Sequence, residues 1–123
     1  MEHSAQQAQA QFDSIKEMIE NLKNTDYSDE ARQAIDEDPL EISVRSDWHT
    51  PGSVEDKPSE YKILLCTGGP AVRIIGELNE YQEPDNARLQ HQDWGTPWTD
   101  FFPEDDNAED ILLEYARCFY FGS

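Results

Sequence analysis

The apolar positions of this chain change rhythm twice along its length. Phe12, Ile15, Ile19 and Leu22 recur at spacings of three and four, the stripe of an amphipathic helix that starts near Gln11 and stops at Asn24. Ser28 is placed to cap a second helix. Asp29 and Glu30 fall in its first turn, where the helix dipole favours anions. Ala31, Ala34 and Ile35 give that helix a thin apolar face, and Pro39 ends it. The period then drops to two. "LEISVR" (40–45) alternates Leu40, Ile42 and Val44 with Glu41, Ser43 and Arg45, as a half-buried strand does. "YKILLCT" (61–67), "AVRIIGEL" (71–78) and "ARLQHQDW" (87–94) supply three more strands. Helical spacing returns after Asn107, a candidate cap, where Ile111, Leu112, Tyr115 and Phe119 share one face.

The links between strands are short and rich in turn formers, so neighbours should run antiparallel. The expected fold is α+β: a four-stranded antiparallel meander sheet packed by N-terminal helices and a C-terminal helix. Residues 1–10, polar and rich in Gln and Ala, are expected to form a flexible N-terminus, and residues 11–123 a single domain. The polar stretch "HTPGSVEDKPSE" (49–60) is expected to be the most mobile link. The glycines of Thr67-Gly68-Gly69-Pro70 invite a phosphate-loop reading. Such loops lead into a helix and carry further Gly, or Lys and Ser or Thr, at fixed offsets. Here the next segment is a strand and no Lys follows, so the glycines are expected to make a hairpin turn.

Charge narrows the function more than any motif. The chain carries 27 Asp and Glu against 9 Lys and Arg, a formal charge of −18. That balance excludes ordinary nucleic-acid binding and docking on anionic membranes. A macromolecular partner that reads the charge must itself be basic. Eleven acids lie between Asp26 and Glu60, and seven, with no base, between Asp100 and Glu114. B-DNA carries one charge per roughly 1.7 Å, so 18 charges match about 31 Å of duplex. A domain of this size has a radius of gyration of about 14 Å, which makes its charge per unit length duplex-like. A solvated acidic surface explains the same number. No run of 18 apolar residues exists, and "MEHSAQQAQAQ" lacks the parts of a secretory signal. Cys66 and Cys118 read as reduced, buried thiols of a cytoplasmic protein.

Catalytic patterns are thin. His91 and Asp93 lie two apart on a strand and share a face, as do Asp47 and His49 near an earlier strand end. The four would form a metal site if those strands met, and otherwise decorate a polar sheet face. Zinc-protease, paired-cysteine, calcium-loop and nucleophile-elbow spacings are all absent from the sequence. The expectation is no enzyme, no cofactor, no catalytic residue and no metal. Trp94, Trp98, Phe101 and Phe102 are expected to plug the core, with Trp98 the member best placed to serve an exposed binding patch.

The block "LLCTGGPAVRIIGELNEY" followed by "ARLQHQDWGTPWTDFF" resembles small acidic uncharacterised proteins of phages and mobile elements, over residues 61–102. The resemblance implies a context, host-defence inhibition or DNA mimicry, and assigns no residue a role. Together these features favour a non-enzymatic binding protein that occupies a basic, nucleic-acid-binding surface of a host protein. The expected contact residues are Asp29, Glu30, Asp36, Glu37, Asp38, Glu104, Asp105, Asp106 and Trp98. The alternative is an adaptor that binds its partner through the aromatic patch, with charge serving solubility.

Overall fold

A computed structural model describes residues 3–46, 48, 51 and 58–121, with the side chain of His3 excepted. Its elements run α1 (His3–Asn24), α2 (Asp29–Asp36), β1 (Glu41–Ser46), β2 (Pro58–Cys66), β3 (Ala71–Glu77), β4 (Arg88–Gln92), β5 (Thr99–Phe101) and α3 (Ala108–Ala116). The fold is α+β, and the five strands form one antiparallel sheet in the order β1-β2-β3-β4-β5. The meander therefore has one strand more than the pattern predicts. β5 is only three residues long, lies between Pro97 and Pro103, and shows too short an alternation to register as a strand.

Strand register sorts the sheet into two faces. Ile42, Ile63 and Ile74 align across β1–β3, and Leu89 and Phe101 continue the row. Tyr61, Ile63, Leu65, Val72, Ile74 and Leu89 are buried beneath the helices, where they meet Phe12, Ile15, Ile19, Leu112 and Tyr115. α1 lies over β3 and β4, and α3 packs on α1 and β4. Lys16 pairs with Asp105 just before α3, and Lys23 pairs with Glu114 near its end, so α1 and α3 run parallel. The opposite face of the sheet has no helix over it among the described residues.

Local chemistry follows the caps and turns. The Ser28 hydroxyl accepts from the Ala31 N–H and starts α2, as its sequence predicts. Asn107 precedes α3 but makes no side-chain cap; instead the Asp105 carboxylate accepts the Asn107 N–H at 2.8 Å. Thr67–Pro70 turns between β2 and β3, with Gly68 at φ +111°, a conformation side chains rarely adopt. Gly76 has a different reason to be glycine. A Cβ there would sit 2.1 Å from the Asn86 carbonyl oxygen and 2.7 Å from the Tyr61 ring.

Three expectations need correction. The N-terminal decapeptide is helical from His3, and Ser4 and Ala8 are buried. Ser4 and Ala8 extend the stripe of Phe12 and Ile15 at a spacing of four, with side chains too small to register as hydrophobic. The aromatic plug is only half formed. Phe101 packs on the core, Trp98 is half-buried, and Trp94 and Phe102 are 90% and 80% exposed. β1 is not half-buried on its apolar side. Leu40, Ile42 and Val44 are 60%, 39% and 46% exposed, because the helical layer is centred over β3 and β4. Of the stretch 49–60, Pro58–Glu60 open β2; the rest, apart from Pro51, lies outside the described residues. No helix among the described residues is long and apolar enough to cross a membrane.

Candidate functional site

The acids expected to meet a partner divide by what already holds them. Asp29 and Glu30 sit in the first turn of α2, and Asp36 and Glu37 at its end; all four are exposed. Asp38, half-buried, accepts the Tyr115 hydroxyl at 2.6 Å. Tyr115 is fully buried, and burial together with that carboxylate pushes its phenol well above the usual tyrosine range. Asp105 is bound from two sides, by Lys16 at 2.7 Å and by the Asn107 N–H. Those donors hold its carboxyl below the ordinary value. Asp38 and Asp105 are thus clips that fasten the ends of α3 to α2 and α1. Glu104 and Asp106 flank the second clip and are exposed.

The helical layer and the open sheet face differ in charge. Residues 3–38 and 104–117 hold fifteen acids and four bases. Two of those bases, Lys16 and Lys23, are already paired with carboxylates. On the open face the register brings Glu41, Glu60, Glu77 and Asp100 beside Arg45, Lys62, Arg73 and Arg88. That face is formally neutral, so the helical segments carry eleven of the eighteen net negative charges, and the other seven belong to residues 2, 47–57, 80–85 and 93, outside both. Along α1 the exposed Asp13, Glu17 and Glu20 repeat at four and three residues, roughly 5–6 Å apart.

Trp98 belongs to the open face. The Arg73 guanidinium lies 4.0 Å from the centre of its ring, and Arg73 Nε donates to Gln90 Oε1 at 2.8 Å. Gln90 Nε2 donates in turn to Asp100 Oδ1 at 2.8 Å, and Asp100 pairs with Arg88 at 3.7 Å. This ladder crosses β3, β4 and β5. Burial, followed by the nearby charges of Arg45 and Arg88, lowers the Arg73 pKa.

His91 and Asp93 do come together, through a residue the sequence reading passed over. Ser4 Oγ donates to Asp93 Oδ2 at 2.8 Å and lies 2.8 Å from His91 Nδ1. A hydroxyl has one proton to give, so His91 must donate from Nδ1 to Ser4. The serine stands between the histidine and the carboxylate; in a nucleophilic triad the histidine stands between the other two. Ser4 is 1% exposed, which leaves a substrate no approach. The trio is a buried tie between the first turn of α1 and the end of β4. Asp47 and His49 lie outside the described residues, and no group of three metal-ligating side chains occurs among the described ones. Cys66 is half-buried and Cys118 exposed, both as free thiols, which corrects the expectation that both are buried. Partial burial raises both thiol pKa values, at Cys118 through its packed sulfur although the residue as a whole is exposed, and the Asp36 and Glu114 charges add to the shift there, so neither is an activated nucleophile.

No family model, curated protein or solved structure matches this chain.

Proposed function

We propose that the protein is a non-enzymatic binding protein whose acid-rich helical layer occupies a basic, nucleic-acid-binding surface on a partner protein, as a duplex mimic would. The observation that carries this reading is the segregation of charge: fifteen acids against four bases on the helical segments, beside a balanced open sheet face. Acids kept only for solubility have no reason to favour one face over the other. Steering by such a face acts over a Debye length of about 8 Å at physiological salt and raises association rates more than it slows dissociation. The contact residues in this reading are Asp29, Glu30, Asp36, Glu37, Glu104 and Asp106, with the α1 stripe of Asp13, Glu17 and Glu20 alongside. Asp38 and Asp105 shape the surface by holding α3 in place.

The test begins by retaining host proteins on the immobilised chain and eluting them with a salt gradient. The eluted protein is then titrated with the parent and with two double variants, Asp36→Asn with Glu37→Gln and Glu104→Gln with Asp106→Asn. Each replacement removes charge without volume, and each rim charge contributes on the order of 0.5 kcal/mol. At least one double variant should weaken binding about fivefold, and raising salt should weaken the parent steeply. Binding insensitive to salt and to both variants, but abolished by Trp94→Ala or Trp98→Ala, would establish the aromatic adaptor reading instead.

A further inference from the structure

The bases of the open sheet face are unevenly satisfied. Arg45 meets Glu60 with two hydrogen bonds, at 2.7 and 3.1 Å, and Arg88 pairs with Asp100. Among the described residues, Arg73 has the neutral Gln90 side chain and the Trp98 ring as partners and no carboxylate. Lys62, half-buried in mid-strand, has no hydrogen bond or ion pair among the described residues. In a chain with three acids for every base, two neighbouring cations with no carboxylate partner among the described residues call for an explanation.

Their placement supplies one. Register sets Lys62 opposite Ile75 and Leu64 opposite Arg73, which makes Lys62 and Arg73 diagonal neighbours on β2 and β3, about 7–8 Å apart at Cα. Both line a concavity of about 390 Å³, together with Ser43, Arg45, Glu60 and Ile75. This volume suits a small molecule. Arg73 spends its Nε–H on Gln90 and stacks its face on Trp98, so its orientation is fixed while its terminal N–H groups remain to donate. A flat, oriented guanidinium beside a mobile ammonium is a pairing suited to an oxyanion.

We infer that this concavity binds a small molecule through one oxyanion group, a phosphate or a carboxylate, held between Lys62 and Arg73 with Ile75 beneath its apolar part. A single group is specified because Glu41 and Glu77 stand at the ends of the same face and repel a polyanion. The helical segments that carry fifteen acids pack on the other face of the sheet, and exposed charges are screened over roughly 8 Å at physiological salt.

The site is tested with inorganic phosphate and with acetate, each titrated separately into the ¹⁵N-labelled chain at constant ionic strength and followed by amide chemical shifts. At least one probe should give saturable shifts, with a Kd on the order of 1 mM, confined to residues 43–45, 60–64 and 73–75. Saturation by phosphate alone identifies a phosphate ester as the ligand class, and by acetate alone a carboxylate. Lys62→Met keeps the aliphatic stem and should weaken binding about tenfold, the worth of one charge-assisted hydrogen bond. Arg73→Gln should do the same. If losing the Trp98 stack unfolds it, Lys62→Met decides alone, because Lys62 has no partner among the described residues to lose. Arg32→Gln, which removes the same charge from α2, should change nothing. Shifts that never saturate with either probe, or that survive Lys62→Met undiminished, would overturn the site.

Discussion

Replacing Ser4 by Ala tests whether the first turn of α1 is docked. The hydroxyl gives its proton to Asp93 and accepts one from His91, in a site where Ser4 is 1% and His91 9% exposed. The variant leaves the His91 Nδ1–H buried without an acceptor, at a cost of about 1–3 kcal/mol, and frees a half-buried carboxylate that water can reach. Alanine recovers roughly 0.5 kcal/mol of helix propensity, so a net loss of about 1.5 kcal/mol is expected. With an m-value of about 1.5 kcal/mol per molar urea, the unfolding midpoint should fall by about 1 M with the slope unchanged. Ser14→Ala is the control. Ser14 is exposed on the same helix, and that variant should gain the propensity term and lose nothing. Urea titrations followed by circular dichroism read both. If Ser4→Ala matches Ser14→Ala, residues 3–10 are frayed in solution and the Ser4–His91–Asp93 tie contributes nothing.

Tyr115→Phe removes the hydrogen bond to Asp38 and should cost about 1.5 kcal/mol in the same titration, since the carboxylate left behind is only half-buried. The phenols of Tyr61 and Tyr115 are both raised above the ordinary 10.0 by burial, so they favour the fold below pH 10 and lose that contribution as pH rises beyond it. Stability should therefore fall in alkali, less steeply in Tyr115→Phe, as read by melting temperature from pH 8 to 11. Gly76→Ala drives a methyl into the Asn86 carbonyl and the Tyr61 ring, breaking the 2.6 Å bond between Tyr61 and that carbonyl. A loss of about 3 kcal/mol is expected, and an unchanged melting temperature would show that β3 shifts to make room.

What the sequence made legible was whatever local chemistry decides. Ser28 caps its helix wherever that helix packs, and Gly68 turns its hairpin because few other residues adopt φ +111°. Element order followed from those signals and from the short links. What stayed hidden depends on partners distant in the chain. Ser4 is polar, and only the arrival of His91 and Asp93, 87 and 89 residues away, makes it a buried residue. The fate of Trp94, Trp98, Phe101 and Phe102 rests on where a three-residue strand ends, which composition does not encode. The acid clusters were visible as clusters. That Asp38 and Asp105 are clips needed the positions of Tyr115 and Lys16, set by the packing of α3 on α1.

The flank of β1, uncovered among the described residues, gives the chain's charge a second consequence. A six-residue edge strand with Leu40, Ile42 and Val44 bare on one side is a template on which further strands can add, one copy after another. The strand has neither a proline nor a lysine, and its own guards are the exposed Glu41 and Arg45 and the register irregularity between Arg45 and Ser46. Encounters between copies are further opposed by the net charge of −18 on each. Colloidal stability in this protein is thus shared between the strand's own charges and the acid-rich remainder of the surface. The protection weakens together with the repulsion, as pH approaches 4.2 or salt shortens its range.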